Sequence, residues 1–325
     1  MKFFYLAYIL VFVSCGIKND SNNLKLFNNG DWIGDGIAYG PFRDGQEPGG
    51  ANPSIDELRE DLHIINEYWD WIRIYGSRGI SEDIIKIIIE DKLNLKVMLG
   101  AWIGKVDSDD GILNNIEELN KAIYLGNKYP SVINGINVGN ETLVFWSDHR
   151  VPVDTLSSYL KYVKNNVSLP ITTADDFNAW NREENKKIAD LVDFIVLHVH
   201  PLWAGLQIEG SVDWTRKTYN EIKDIHKDKL IVIGETGWAT QKHNQGLQAK
   251  LIKGKTGEVE QEQFILGFKK WADTKNIPYF LFEVFDENWK GGDHPNEVEK
   301  HWGLFKADRT PKLYMKNYKS HYEQK

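Results

Sequence analysis

Three segments place carboxylates directly after apolar runs. Gly139-Asn140-Glu141 follows Ile133 to Val138, and Gly234-Glu235-Thr236-Gly237-Trp238 follows Leu230 to Ile233. Glu283-Val284-Phe285-Asp286-Glu287-Asn288-Trp289 follows Tyr279 to Phe282. Two carboxyl groups that face each other can cleave a glycosidic bond, one kept protonated as acid and the other ionised as nucleophile. A gap of about 5–5.5 Å goes with retention of configuration and about 6.5–9.5 Å with inversion. Six of the twelve tryptophans, Trp102, Trp146, Trp180, Trp203, Trp238 and Trp289, also lie beyond apolar runs. Flat aromatic faces stack on the C–H faces of sugar rings, and a few polar groups among them fix orientation. Either glutamate alone reads equally well as an ion-pair member. The two together, each flanked by glycine at the end of a run, favour catalysis.

His198-Val199-His200 places two imidazoles on one face of a strand, a spacing that can chelate a metal. No other run ends in a histidine, so the pair reads instead as one histidine hydrogen-bonded in the barrel and the other contacting substrate. Gly254-Lys255-Thr256 lacks the earlier glycine and the strand of a phosphate loop, and there is no His-Glu-x-x-His or Gly-x-Ser-x-Gly. No cofactor and no metal are implied.

The elements that must position these groups alternate. Apolar runs occur at residues 36–39, 71–75, 95–99, 133–138, 170–173, 194–197, 230–233 and 279–282, with helical patterns between them. Ser54 with Glu57 forms a capping box for a helix toward Tyr68. Ser81 precedes a helix through Leu93, Asp154 one through Asn166, and Ser211 one through Lys227. Glu258 to Lys275 is helical by period, and Thr310-Pro311 reads as a cap and first turn of a final helix. Eight such units over about 290 residues predict a single (β/α)8 TIM barrel spanning residues 31–325. A doubly wound open sheet is the alternative, but the glycine-rich loop that usually marks it is missing. In a barrel, chemistry gathers where the strands end. Strand two ends in Arg73-Ile74-Tyr75, with 73 and 75 on one face. Strands four and seven lie across the mouth, so Glu141 and Glu235 can face each other.

The motifs in this order resemble glycoside hydrolase family 17, the β-1,3-glucanases. The resemblance rests on Gly139-Asn140-Glu141, Gly234-Glu235-Thr236-Gly237-Trp238 and the Phe282-to-Lys290 segment. Tyr39-Gly40, Arg73-Ile74-Tyr75 and Leu99-Gly100 extend it to the first three strands, and it covers about residues 33 to 318. It implies Glu141 as acid/base and Glu235 as nucleophile of a retaining reaction on a laminarin-like β-1,3-glucan. It implies Asn140 on the sugar 2-hydroxyl. Tyr39, Arg73, Tyr75, His200, Trp238, Glu283, Asp286, Glu287 and Trp289 are the further substrate-binding candidates. Glu283 reads alternatively as a core partner of Arg73. The family usually shows Tyr-Pro after strand six, where this chain has His200-Pro201, so His200 or Trp203 takes the place of that aromatic wall. Transglycosylation, a non-catalytic surface glycan-binding protein, and a β-1,4 or mixed-linkage glucanase are the competing readings.

The formal charge of −8 argues against nucleic acid, because phosphate binding needs clustered Lys and Arg. Lys2 and the eleven apolar or aromatic residues Phe3 to Val13 form a signal-peptide core too short to span a bilayer comfortably. Phe12-Val13-Ser14-Cys15 resembles a bacterial lipobox. It implies a signal peptide over 1–14, lipid attachment at Cys15, a flexible tether over 15–30 and an exported protein held to the membrane by its lipid alone. The alternative is a plain secretory signal. A β-glucan is the expected partner, and a monomer is the default.

Overall fold

The computed structural model describes residues 23–322. The expected signal peptide and Cys15 lie outside the described residues. Eight parallel strands close into one barrel: β1 (Asp35–Ala38), β2 (Trp71–Ile74), β3 (Lys96–Ala101), β4 (Ile133–Asn140), β5 (Ile171–Asp176), β6 (Ile195–His198), β7 (Ile231–Thr236) and β8 (Tyr279–Leu281). Each pairs with the next, and β8 closes on β1 through Tyr279 to Leu281. All eight apolar runs are strands, and helices cross over between them, as the (β/α)8 expectation requires.

Alternation sorts the strand residues into two layers. Ile37, Ile72, Ile74, Val97, Leu99, Ile195 and Leu197 join the large cluster between barrel and helices. Trp71, Met98, Ala174, Phe194, Val196, Val232 and Phe280 point inward with Ile33 and fill the barrel's lower interior. The polar residues that water and a substrate can reach lie above this packed plug, toward the strand ends.

The capping box of Ser54 and Glu57 is present in both directions on the helix Ile55–Asn66. Several helix starts differ from the sequence expectation, and some helices were not expected from it. Gln207 rather than Ser211 precedes the helix Ile208–Ile225, and Ser211 Oγ donates back to Ile208 O at 2.7 Å. Thr310-Pro311 opens no helix. Thr310 closes a turn onto Asp308, Pro311 bridges Phe305, and the short helix Leu313–Lys316 starts later, its first amide donating to Glu258. The long helix Asp109–Lys128 and the short Lys186–Leu191 complete the crossovers after β3 and β5 without having been read from the sequence. The last part of the expected tether is folded. Phe27–Asn28 pairs with Asp31–Trp32, and Leu24 and Leu26 pack beneath the inner cluster, plugging the barrel floor.

Candidate active site

Bulges aim the two glutamates. On β7, Leu197 faces Ile233 while His198 faces Glu235, so one residue is extra. Strict alternation would send Glu235 outward with Ile231 and Ile233, and the bulge turns it into the mouth. Bare Gly234 makes room, since a Cβ there would lie 2.2 Å from Val196. A second bulge on β4 lies between Asn137 and Asn140. Gly139 then takes φ +84°, and Glu141 itself sits at φ +51°. A non-glycine residue in the left-handed region stores strain, and such strain concentrates at functional sites. Asp175 holds the turn by accepting from Leu143 N at 2.7 Å, while Glu141 N donates to Ala174 O.

A carboxylate oxygen of Glu141, one of Glu235 and a ring nitrogen of His198 lie within 4.8 Å of one another. Glu235 Oε1 accepts from Arg73 Nη1 at 2.6 Å and from Tyr75 OH at 2.9 Å. His200 Nε2 stands 3.3 Å from Oε2. Arg73 also donates to Asn140 Oδ1, which leaves the Asn140 amide nitrogen free. His149 donates to Asn140 O at 2.7 Å.

The electrostatics separate the carboxylates. Burial alone would raise the Glu235 carboxyl, but the neighbouring His198 ring, the Arg73 charge and the His200 hydrogen bond hold it well below the usual carboxylate range. Tyr75 is driven well above the usual phenol by burial and by the Glu235 charge, so it remains a donor. For His200, burial opposes the proton, yet Glu235 and Glu141 outweigh it and raise the imidazole. Asp175 is pushed well above the normal range, mainly by burial and then by the Glu141 charge.

Asp176, at the end of β5, is pushed up to about 6, chiefly by burial, despite accepting from Asn178. Its folded-state value therefore lies above its unfolded one, and the folded protein binds the extra proton between about pH 4 and 6. Stability should fall as pH rises through that window, by at most about 3 kcal/mol at 1.36 kcal/mol per unit. Asp176→Asn, which preserves a cap, should melt higher than wild type at pH 7 and match it at pH 4. Melting curves at both values check this, and equal curves at pH 7 would refute it.

The sequence candidates divide. Glu141, Glu235, Arg73, Tyr75, Asn140 and His200 converge as expected. Tyr39 does not reach the site: it is fully buried toward the helices, its hydroxyl donating to Asp61. It shares the outward parity of Ile37. Trp238 is likewise buried, in the outer layer beside Phe264, and donates to Lys255 O. Neither can be a sugar platform. Glu283 is buried and pairs with Lys290 at 2.5 Å, not with Arg73; burial raises its carboxyl well above the usual range. Glu287 accepts from Lys290 and from Phe42 N, and Asp286 accepts from Lys312 and Gly303 N. These three brace the loop after β8. Trp289 is half-exposed against Phe42, and Trp102, Phe145 and Trp146 are exposed across the mouth. Trp180 is buried, donating to Val196 O, and Trp203 donates to Glu299. Sequence reasoning missed Asp175, Asp176 and the bridging place of His198. Asp175-Asp176 were a visible signal, two acids one residue beyond the run that ended at Thr173.

Comparison with known proteins agrees with this geometry. The BtgE/BtgC glycoside hydrolase domain matches residues 36–303. A putative glucan endo-1,3-beta-glucosidase of Aspergillus niger is 29% identical over 314 residues, 91% of this chain and 44% of the relative. This chain thus spans about half the length of such curated relatives. A glucan 1,3-beta-glucosidase of Schizosaccharomyces pombe is 25% identical, over 79% of each chain. Among solved structures, an endo-laminarinase from Formosa has a TM-score of 0.75 at 26% identity, covering 89% of this chain and 88% of its own. A family 17 β-1,3-glucanosyltransferase from Rhizomucor miehei shares the fold, with a TM-score of 0.70 at 23% identity over 86% of this chain and 95% of its own.

Proposed function

The chain belongs to the BtgE/BtgC glycoside hydrolase domain family, and from that membership we propose that it cleaves β-1,3-glucan with retention of configuration. The observation that carries the reading is the pair of carboxylates on opposite sides of the mouth, with oxygens within 4.8 Å. Oxygens that close fit the shorter carboxyl separation of a retaining pair better than the longer one of an inverting pair.

Glu235 Oε1 is occupied by Arg73 and Tyr75, so Oε2 is the oxygen that attacks the anomeric carbon. Glu141 gives its proton to the leaving oxygen as the C1–O bond breaks. Water then attacks C1, Glu141 takes its proton, and the ester to Glu235 breaks. The free Asn140 amide donates to the sugar 2-hydroxyl. The loop after Glu141 flanks the leaving group, and its exposed Phe145 and Trp146, with Trp102, offer stacking faces there. Those faces support the second reading, transfer to a sugar hydroxyl in place of water. The β-1,3 linkage rests on the laminarinase and glucosidase relatives. Export and a lipid anchor at Cys15 rest on the Phe3–Val13 run and the lipobox-like residues alone.

The test is sugar release from laminarin, mixed-linkage barley glucan and cellulose, with products resolved by size. Shortened products from laminarin alone are expected, and products longer than the substrate would favour transfer. No release from any glucan would overturn the assignment.

A further inference from the structure

His198 touches both carboxylates, and the scheme above leaves it idle. Its ring is fully buried at the end of β6. Nδ1 lies 3.0 Å from Glu141 Oε1, and Nε2 lies 3.5 Å from Glu235 Oε1, close enough for electrostatic contact but without a hydrogen bond to it or to any other described residue. The titratable and charged groups packed around this trio are Arg73 from β2 and Tyr75 just beyond it, Asp175 and Asp176 from β5, His200 just beyond β6, and Glu299 from the segment after β8.

The tautomer follows from these neighbours. Nε2 faces an ionised oxygen, so Nε2 carries a proton. In a neutral ring Nδ1 is then an acceptor, and its close contact with Glu141 is attractive only with a proton between them. We propose that His198 is a positioning residue that loads the acid/base: its Nδ1 lone pair holds the catalytic proton on Glu141, and the Glu235 charge fixes the tautomer that allows it. This rests on the roles assigned above to Glu141 and Glu235.

The cycle balances. In the first step Glu141 gives the shared proton to the leaving oxygen, C1 bonds to Glu235, and the glycosidic bond breaks. Glu141 is now a carboxylate facing the bare Nδ1 lone pair, an arrangement that drives it to take the proton of the incoming water. Water bonds to C1, the ester breaks, and the Glu141–His198 hydrogen bond is restored. His198 ends with the proton it began with.

Two measurements test this. In His198→Phe, which removes both nitrogens, kcat should fall about 100-fold, a magnitude typical of lost general acid–base function. The alkaline limb of its kcat/KM profile should move about one pH unit toward acid, with KM little changed. His198→Asn restores an acceptor toward Glu141 and should recover part of both. A uniform fall with unmoved limbs, and Asn no better than Phe, would reduce His198 to packing. The second measurement uses 15N-histidine-labelled wild type without substrate. One ring should show a proton-bearing Nε2 and an acceptor Nδ1 near neutral pH, and a bare Nε2 there overturns the proposal even if the variants do not fold. Wild type inactive on every glucan would instead sink the catalytic reading, while the resonances still decide the tautomer.

Discussion

Glu235→Ala is expected to lower kcat on laminarin about 10⁵-fold, or ~7 kcal/mol of transition-state stabilisation at 1.36 kcal/mol per tenfold. The loss is large because the residue forms the bond to C1 and no neighbour can replace it. Arg73 and Tyr75 are donors, and Glu283 is engaged with Lys290. The variant leaves a small hole beside a buried cation, into which azide fits as both anion and nucleophile. With an aryl β-glucoside of laminaribiose, azide should restore turnover and yield the α-glycosyl azide, since attack comes from the face opposite the leaving group. Glu141→Ala should behave in the opposite sense. An activated aryl group leaves without a proton, the ester to Glu235 forms, and azide then displaces it to give the β-azide. Product stereochemistry by proton NMR separates the roles. An α-azide from Glu141→Ala would exchange the two assignments, and products of inverted configuration from wild type would exclude the covalent intermediate.

Much of this site was legible because barrels impose parity. Trp71 and Arg73 point inward and Ile72 and Ile74 outward, so Tyr75 had to join Arg73 at the mouth. The same parity, applied to Ile37, would have sent Tyr39 outward, where it donates to Asp61. Proximity to a strand end outweighed it in the sequence reading. Glu235 shows the opposite error in principle. Parity counted from Ile231 and Ile233 points it away from the mouth, and only the bulge corrects this. Nothing in Gly234-Glu235 announces a bulge except the glycine, which also fits a close approach of Val196. Trp238 failed for a related reason. Beyond a bulge the count of faces restarts, and a tryptophan three residues on can fill the helix layer as easily as a cleft. His198 was recognised as chemistry-bearing, but its role depended on Glu141 beyond β4 and Glu235 on β7 both reaching the end of β6, which local pattern does not specify. The acids after β8 misled because loop braces and sugar contacts use the same residues. What distinguishes Glu283 and Glu287 as braces is a lysine seven and three residues away, Lys290, folded back between them.

Arg73→Ala is expected to have the second largest effect, and it should register in stability as well as rate. Arg73 is buried, and its guanidinium joins the nucleophile to Asn140 while also donating to Gly234 O at 3.3 Å. Removing one partner of a buried ion pair costs about 3–5 kcal/mol because the other charge stays behind unpaired. The sign with pH follows from Glu235. Its folded-state value lies below its unfolded one, so its contribution to stability is present above the unfolded carboxylate range and is lost as pH falls through the folded value. Arg73→Ala removes one of the cations that depress it. The variant should therefore be much less stable than wild type at pH 7 and closer to it at pH 4. Its kcat should fall about 10³-fold with a smaller change in KM, since Arg73 touches the nucleophile and Asn140 rather than the bulk of the glucan. Arg73→Lys keeps the charge and loses the fork that reaches two residues at once. It should recover most of the stability and little of the rate. Urea unfolding at pH 7 and pH 4, with kcat and KM for both variants, decides the matter. Equal stability deficits at both pH values would show that Arg73 supports packing rather than the ionised nucleophile. If lysine restored full rate, charge alone would suffice and the bridge to Asn140 would carry no catalytic weight.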